Sequence, residues 1–341
     1  MMKILHSADW HLDTPQPDLR KDLLSIPGKI ADLARREKCD LLLLSGDLFD
    51  GPYSQESLDA VRRALKELAI PVFISPGNHD FCSPVSPWLT EIWPENVHIF
   101  TSSAITSVAV PGLNCRVYGA GFQSMDCPGL LEGFQAECSE KYALGVFHGA
   151  PLKAKSPYNP ITHQQVENSA LDYLALGHIH QTGSFRSGST LCAWSGCPMG
   201  RGFDETGEKG VLIVTLAESA QAEFIPLGFP QFHDLTLEVQ GDPAAALRSV
   251  LPPVCTSDHY RVTLTGEAEE VNTAALKSNF PHLPNLLLQD STIPPIDLWA
   301  NAGEDTLEGI YFDVLRQHGK TGELAANISR RILNGQEVVL P

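Results

Sequence analysis

Over the first 230 residues, short apolar runs alternate with segments whose apolar residues recur every three or four positions. Alternation between these two periods predicts a layered α/β domain. Lys3–Ala8 reads as a strand, and 27–38 as a helix with Pro27 near its first turn. The leucines of 40–45 form a run suited to a strand buried on both faces. Ser54 is placed to cap the next helix, which carries Leu58, Val61, Leu65 and Leu68 on one face. Val72–Ser75, Tyr142–Phe147 and Tyr173–Leu176 read as further strands. Between the last two, Thr162 and Gln165 form a capping box, with Ile161 and Val166 positioned to staple the helix start.

Beyond Phe229-Pro230 the texture changes. Phe232–Val239 and Tyr260–Thr265 alternate as half-exposed strands, and 286–289 offers a third. Short helices are expected at 244–250 and 271–279, which makes 231–296 a small α+β capping domain after a first domain at 1–230. Pro294-Pro295 marks a break. In 297–341, Asp305 and Glu308 are expected to cap a helix with an apolar face of Leu307, Ile310, Tyr311, Val314 and Leu315. A second helix, 322–334, carries Leu324, Ile328 and Ile332 on one side. This pair fits either a hairpin packed on its own domain or a docking element for another chain, and the sequence does not choose.

Five motifs bearing metal-ligating residue types each follow a strand-like run: Asp9-Trp10-His11, Gly46–Asp50, Gly77–Asp80, His148-Gly149 and Gly177–His180. Ligands at the carboxyl ends of successive strands sit where open α/β sheets place their sites. Asp9, His11, Asp47, Asn78, His148, His178 and His180 are the candidate ligands. Asp47 is the natural bridge, because one carboxylate can serve two cations about 3.5–4 Å apart. Asn78 and His148 belong to the second site, and His178 and His180 divide between the two. This mixed oxygen and nitrogen set suits manganese, iron or zinc. His79 is left for proton donation to a leaving oxygen, with Asp80 as its expected orienter and Asp50 fixing a ligand. His6 reads as a core histidine and Trp10 as packing beside the site.

Composition narrows the function. No apolar run is long enough to span a bilayer, and Met1–His6 leads straight into the first motif-bearing strand, an arrangement that argues against a cleaved signal peptide. Eight cysteines lack a CxxC pair and read as reduced core thiols, Cys192 and Cys197 included; a cytoplasmic protein is expected. The net charge of −17 opposes a polyanion at long range, and acid is densest after residue 231. Two divalent cations, two carboxylates and a bridging hydroxide would nevertheless leave the filled site at about +1, which attracts a phosphate. Lys153, Lys155 and Arg201 are the basic candidates for phosphate-backbone contact near it, with Lys209 in the same glycine-rich stretch as Arg201.

At these residues the sequence resembles the calcineurin-like metallophosphoesterases, and within them the SbcD/YhaO-type DNA repair exonucleases. The resemblance rests on HSADWHLD (6–13), SGDLFD (45–50), GNHD (77–80), the HG at His148 and DYLALGHIH (172–180). SGCPMGRGFDETGEKGV (195–211) is also similar to that group's GxPxGRxxxExGxKG segment. The resemblance covers 1–215 strongly and the remainder in outline. It implies a metallophosphoesterase β-sandwich flanked by helices, with a capping domain and C-terminal helices. It also implies that Asp9, His11, Asp47 and His180 hold one manganese and Asp47, Asn78, His148 and His178 the other, with His79 catalytic. The implied activity is DNA exonuclease cleavage by metal-bound hydroxide, often by a homodimer with an SMC-like coiled-coil ATPase docked on 303–334. Asp13 replaces the glycine usual in SbcD proper and favours the YhaO-like branch; Cys197 and Met199 replace more polar residues. Two other functions fit the residues: a phosphodiesterase or phosphatase for a small molecule, or a metal-stabilised scaffold for an ATPase.

Overall fold

The computed structural model describes residues 1–137, 139–153, 155–239, 241–268, 271–335 and residue 338. The chain forms two compact units, Met1–Phe232 and His233–Pro341.

In the first unit two six-stranded sheets stack face to face. One runs in the spatial order Ala220–Pro226, Gly210–Leu216, Met2–Ser7, Leu41–Leu44, Val72–Ile74 and Val97–Ile99. The other runs Gly183–Ser187, Thr190–Trp194, Tyr173–Gly177, Tyr142–His148, Cys115–Gly119 and Thr106–Val110. Adjacent strands from Met2–Ser7 to Val97–Ile99 are parallel, as are Thr190–Trp194, Tyr173–Gly177, Tyr142–His148 and Cys115–Gly119. Their carboxyl ends therefore open on one edge of each sheet.

The period of two along a strand explains the layering. Leu41 and Leu43 face the inter-sheet core with Ile4, Val117, Leu144 and Val146. Leu42 and Leu44 face the opposite way, against Ile26, Ile30, Leu58 and Leu65 of two helices. The second sheet is covered on its outer face by Ile161, Val166 and Leu171. This is the mixed α/β fold, sheets flanked by helices, that the alternating periods predict.

Several local expectations hold. Ser54 caps the helix Gln55–Leu68 through a hydrogen bond from the Ser57 amide, and the Thr162/Gln165 capping box is complete. The first helix differs. It spans Arg20–Arg36, so Pro27 lies inside it rather than at its start. A 3-10 turn at Pro17–Leu19 leads directly into it, and Leu23, Ile26 and Ile30 bury one continuous face. That apolar face outweighs the one amide hydrogen that Pro27 removes.

The second unit holds a three-stranded sheet, Phe232–Glu238, His259–Thr265 and Leu286–Asp290 (Phe232 itself ends the first unit), with helices Pro243–Val250 and Thr273–Lys277. Segments 231–296 and 297–341 are linked within it. Arg331 pairs with Glu267, and Arg330 donates to the Leu298 and Ala300 carbonyls and pairs with Glu308. The helices Leu307–Arg316 and Gly319–Leu333 pack on each other, with Gly322 against the Leu315 carbonyl and Phe312 and Ala326 buried, while Gly309 packs on the Asn301–Glu304 turn. Thr306, not Asp305 or Glu308, caps the first, by accepting from the Gly309 amide. The expected apolar face is largely turned outward: Leu307 is 88% exposed, Ile310 55% and Ile332 63%. Small residues let the helices approach closely on their other faces, which periodicity alone does not distinguish.

Candidate metal centre

The five motifs meet at the strand ends, held by backbone hydrogen bonds between loops. The Asp9 amide donates to the Gly46 carbonyl and the His11 amide to the Asp47 carbonyl, each at 3.0 Å. The His178 amide donates to both Asp9 oxygens, at 3.0 and 3.1 Å. Asp9, His11, Asp47 and His178 all adopt positive φ, a costly conformation that the surrounding packing enforces. Gly77 permits the closest approach. A Cβ there would lie 2.2 Å from Asp47 Oδ1 and 2.8 Å from His148 Nδ1.

All seven candidate ligands converge. Asp9, His11 and His180 form one group whose ligand atoms lie within 4.8 Å of one another, and Asp9, Asp47 and His148 form a second. Asn78 Oδ1 is 2.9 Å from His148 Nε2 and 3.2 Å from His178 Nδ1. Asp47 Oδ2 reaches both sets, at 3.4 Å from His148 Nε2 and 3.8 Å from His11 Nε2. His148 Nδ1 is engaged by the Ser45 carbonyl at 2.8 Å, which turns Nε2 into the cluster.

The donor chemistry fits divalent cations. His11 and His180 face each other Nε2 to Nε2 at 3.2 Å, and two carboxylates, Asp9 and Asp47, are buried beside them. Burial lowers the pKa of His148 to about 3 and those of His11 and His178 to about 4, so their rings are neutral and carry free lone pairs at neutral pH. Burial, with the charge of Asp47 next, raises the Asp9 pKa. Such a carboxylate calls for a positive charge, which cations held in this cluster would supply.

The surrounding residues divide differently from the sequence expectation. Asp80 does not orient His79. Its carboxylate accepts from four backbone amides, Gly77 and Leu48 at 2.7 Å, Asp47 at 3.2 Å and Phe49 at 3.4 Å, and so ties the second motif to the third. Asp50 holds His79 instead, at 2.8 Å from Nδ1, and reaches His11 Nδ1 at 3.3 Å. Hydrogen bonds from His11 and His79 hold Asp50 far below the carboxylate range, and Asp50 in turn raises the His79 pKa. His79 has a side chain 39% exposed, whereas those of His11 and His148 are almost wholly covered, so it sits at the mouth of the cluster.

Arg201, a candidate phosphate contact, is engaged within the protein. Its guanidinium bonds Glu205 at 2.5 Å, and Lys209 donates to the His180 carbonyl and to Gln181. Lys153 and Lys155 are exposed, and Lys153 is near enough to act electrostatically on His178. Glu205 went unassigned in the sequence, yet it accepts from His180 Nδ1 at 2.6 Å. Burial would raise its pKa, but hydrogen bonds from His180 and Arg201 hold it well below the usual range. Its signal was the glutamate of the GxPxGRxxxExGxKG segment. Tyr158, also unassigned, lies with its ring 4.8 Å from that of His178; a tyrosine in an irregular loop carries no pattern to mark it. Asp13 braces a helix start, accepting from the Ser54 amide at 3.0 Å and from Ser57 and Arg20. Cys197 and Met199 are buried, and Cys192 and Cys197 are free thiols.

Residues 2–182 match the model of the calcineurin-like phosphoesterase family, metal-dependent enzymes that act on phosphate esters. The chain belongs to that family. It is 29% identical over 261 residues to the uncharacterized metallophosphoesterase YhaO of Bacillus subtilis (strain 168), a match spanning 70% of this chain and 62% of that one. Among solved structures, a dimetal phosphatase from Danio rerio aligns with 65% of this chain and 98% of its own, at 15% identity and a TM-score of 0.46. A protein from Thermus thermophilus aligns over the same shares at 15% identity and a TM-score of 0.42. Metallophosphoesterases use divalent metal ions, and this chain's ligand groups are of the kind that hold two. Among the described residues no helix is long and apolar enough to cross a membrane.

Proposed function

We propose that this metallophosphoesterase is a manganese-dependent DNA exonuclease acting in repair. The observation that carries the hydrolytic part is the convergence of seven ligand residues beneath a histidine whose ring is held from one side by Asp50. When bound, the cations polarise the phosphoryl oxygens and lower the pKa of a coordinated water. Asp9, Asp47 and Asn78 supply oxygen ligands, and His11, His148, His178 and His180 supply nitrogen. Asp50 accepts from His79 Nδ1, which leaves Nε2 to donate a proton to the departing oxygen. Glu205 fixes the His180 ring through Nδ1 and so presents its Nε2 to the cluster.

The DNA part is supported by the 195–211 segment, whose Arg201 and Glu205 buttress His180 as one unit. Lys153 and Lys155 are its basic contacts. The outward apolar row at Leu307, Ile310, Tyr311 and Val314 supports docking of an SMC-like coiled-coil ATPase on 303–334, by helix-in-groove packing. A homodimer in the cytoplasm completes this reading.

A second reading, a phosphodiesterase or phosphatase for a small molecule, is favoured by the net charge of −17 and by the internal engagement of Arg201 and Lys209. The two separate when manganese-loaded protein is assayed on single- and double-stranded DNA beside bis-p-nitrophenyl phosphate. Degradation of DNA from its ends is the expected result. Intact DNA with turnover of the small ester would sink the nuclease reading. A scaffold would show neither activity, would be indifferent to His79→Ala, and would lose its partner when 303–334 is deleted.

A further inference from the structure

The two sheets divide the candidate ligands between them. Asp9, His11, Asp47 and Asn78 follow the strands Met2–Ser7, Leu41–Leu44 and Val72–Ile74 of the first sheet. His148, His178 and His180 end or follow the strands Tyr142–His148 and Tyr173–Gly177 of the second. The cluster thus straddles the seam between the sheets, and its shape depends on how they are held at their carboxyl edges. Little slack exists there. A Cβ on Gly177 would lie 2.2 Å from the Ser45 carbonyl oxygen and 2.9 Å from His148 Nδ1.

Met2 and Ile4 point into the apolar seam, and the period of two puts His6 at the next inward position. His6 is wholly buried. Its Nδ1 lies 2.7 Å from the Tyr173 hydroxyl, and its Nε2 lies 3.1 Å from the Leu176 carbonyl and 3.0 Å from Ser45 Oγ. A carbonyl only accepts, so Nε2 carries the hydrogen and Nδ1 accepts from the phenol. One ring therefore joins three strand ends, each leading into a ligand. His6 precedes Asp9 by three residues, Ser45 precedes Asp47 by two, and Leu176 precedes His178 by two. Ser45 also engages His148 Nδ1 through its carbonyl, at 2.8 Å.

Apolar contacts hold two sheets together but tolerate small slides, whereas a fully satisfied set of buried hydrogen bonds is directional and fixes a distance. We propose that His6 is a positioning residue for the metal centre, setting the spacing of the first sheet's ligands against those of the second. Both of its ring nitrogens are engaged by the protein, so it acts from behind the cluster and holds no cation itself. This role deepens the two-metal reading of the cluster and rests on it.

Tyr142 supplies the control. Its hydroxyl also crosses the seam, donating to the Ala217 carbonyl at 2.9 Å, but from the amino end of a strand whose ligand is at the other end. Tyr173→Phe and Tyr142→Phe each remove one seam hydrogen bond, and each should lower the melting temperature. Tyr173→Phe alone should also weaken manganese binding, about fivefold by isothermal titration calorimetry, and alter the electron paramagnetic resonance spectrum of the bound pair. His6→Phe should weaken binding about 10–100-fold, and His6→Gln, which keeps a donor near the Nε2 position, should recover most of the affinity. The tyrosine variants keep the test valid if His6→Phe fails to fold. Unchanged manganese binding in Tyr173→Phe, or an equal loss in Tyr142→Phe, would overturn the positioning role and leave the two-metal reading intact. A parent protein that fails to bind a manganese pair would overturn that reading and the role with it.

Discussion

At the scale of single residues, the site depends on carboxylates that bind no substrate. Asp50 holds His79 and His11 together, so Asp50→Asn should lower kcat about 10–100-fold through misorientation of both rings. Steady-state kinetics on bis-p-nitrophenyl phosphate would check this, and a fall confined to KM would contradict it. Asp80 has a different task, the clamping of four amides, and its removal should show first as lost stability. His6 is the clearest case of a histidine outside the cluster. Buried, and hydrogen-bonded to the Tyr173 hydroxyl at 2.7 Å, it has a pKa lowered by burial to about 3. The folded state keeps it neutral while the unfolded chain protonates near its ordinary value, so its contribution is complete above about pH 6.5 and is lost as pH falls toward 3. Between these limits His6→Asn should unfold with a shallower dependence on pH than the parent, measured by urea titration at several pH values; parallel curves would refute it. The pairing of His79 with Asp50 rather than with its neighbour Asp80 was illegible, because adjacent residues in a loop can point apart.

At the scale of elements, the loops do more than join strands. Gly77 sits where a Cβ would collide with Asp47 and His148, whereas Gly28, in the Arg20–Arg36 helix, has nothing within 4 Å. Gly77→Ala should therefore destroy metal binding and destabilise the fold. Gly28→Ala should stabilise it by about 0.5–1 kcal/mol, because a helix interior favours alanine. Paired melting curves and manganese titrations decide the matter, and similar effects of the two substitutions would contradict this account. Strands were legible as short apolar runs, and caps at Ser54 and Thr162 as local chemistry. The start of the first helix was not, since it depends on which face finds a partner, and at 305–308 three side chains competed for the cap that Thr306 takes.

For the whole molecule, a net charge of −17 opposes an anionic substrate, and cations held by the buried ligands would offset it locally. Bound cations should stabilise the folded chain, because they bind the converged ligands and not the unfolded ones. Manganese should therefore raise the melting temperature of the parent, and Asp47→Asn should abolish most of that rise; an equal rise in both would remove Asp47 from the shared position. The sequence by itself determined that the chemistry-bearing loops follow strands, the ligand types and the α/β layering, because strand period and ligand chemistry are local properties. Only the tertiary structure decided that Glu205 holds His180, that Arg201 is engaged internally, and that the apolar faces of the last two helices point outward. The 195–211 segment marks Glu205 but not its partner, which lies 25 residues away, and periodicity does not say which of two helix faces is covered.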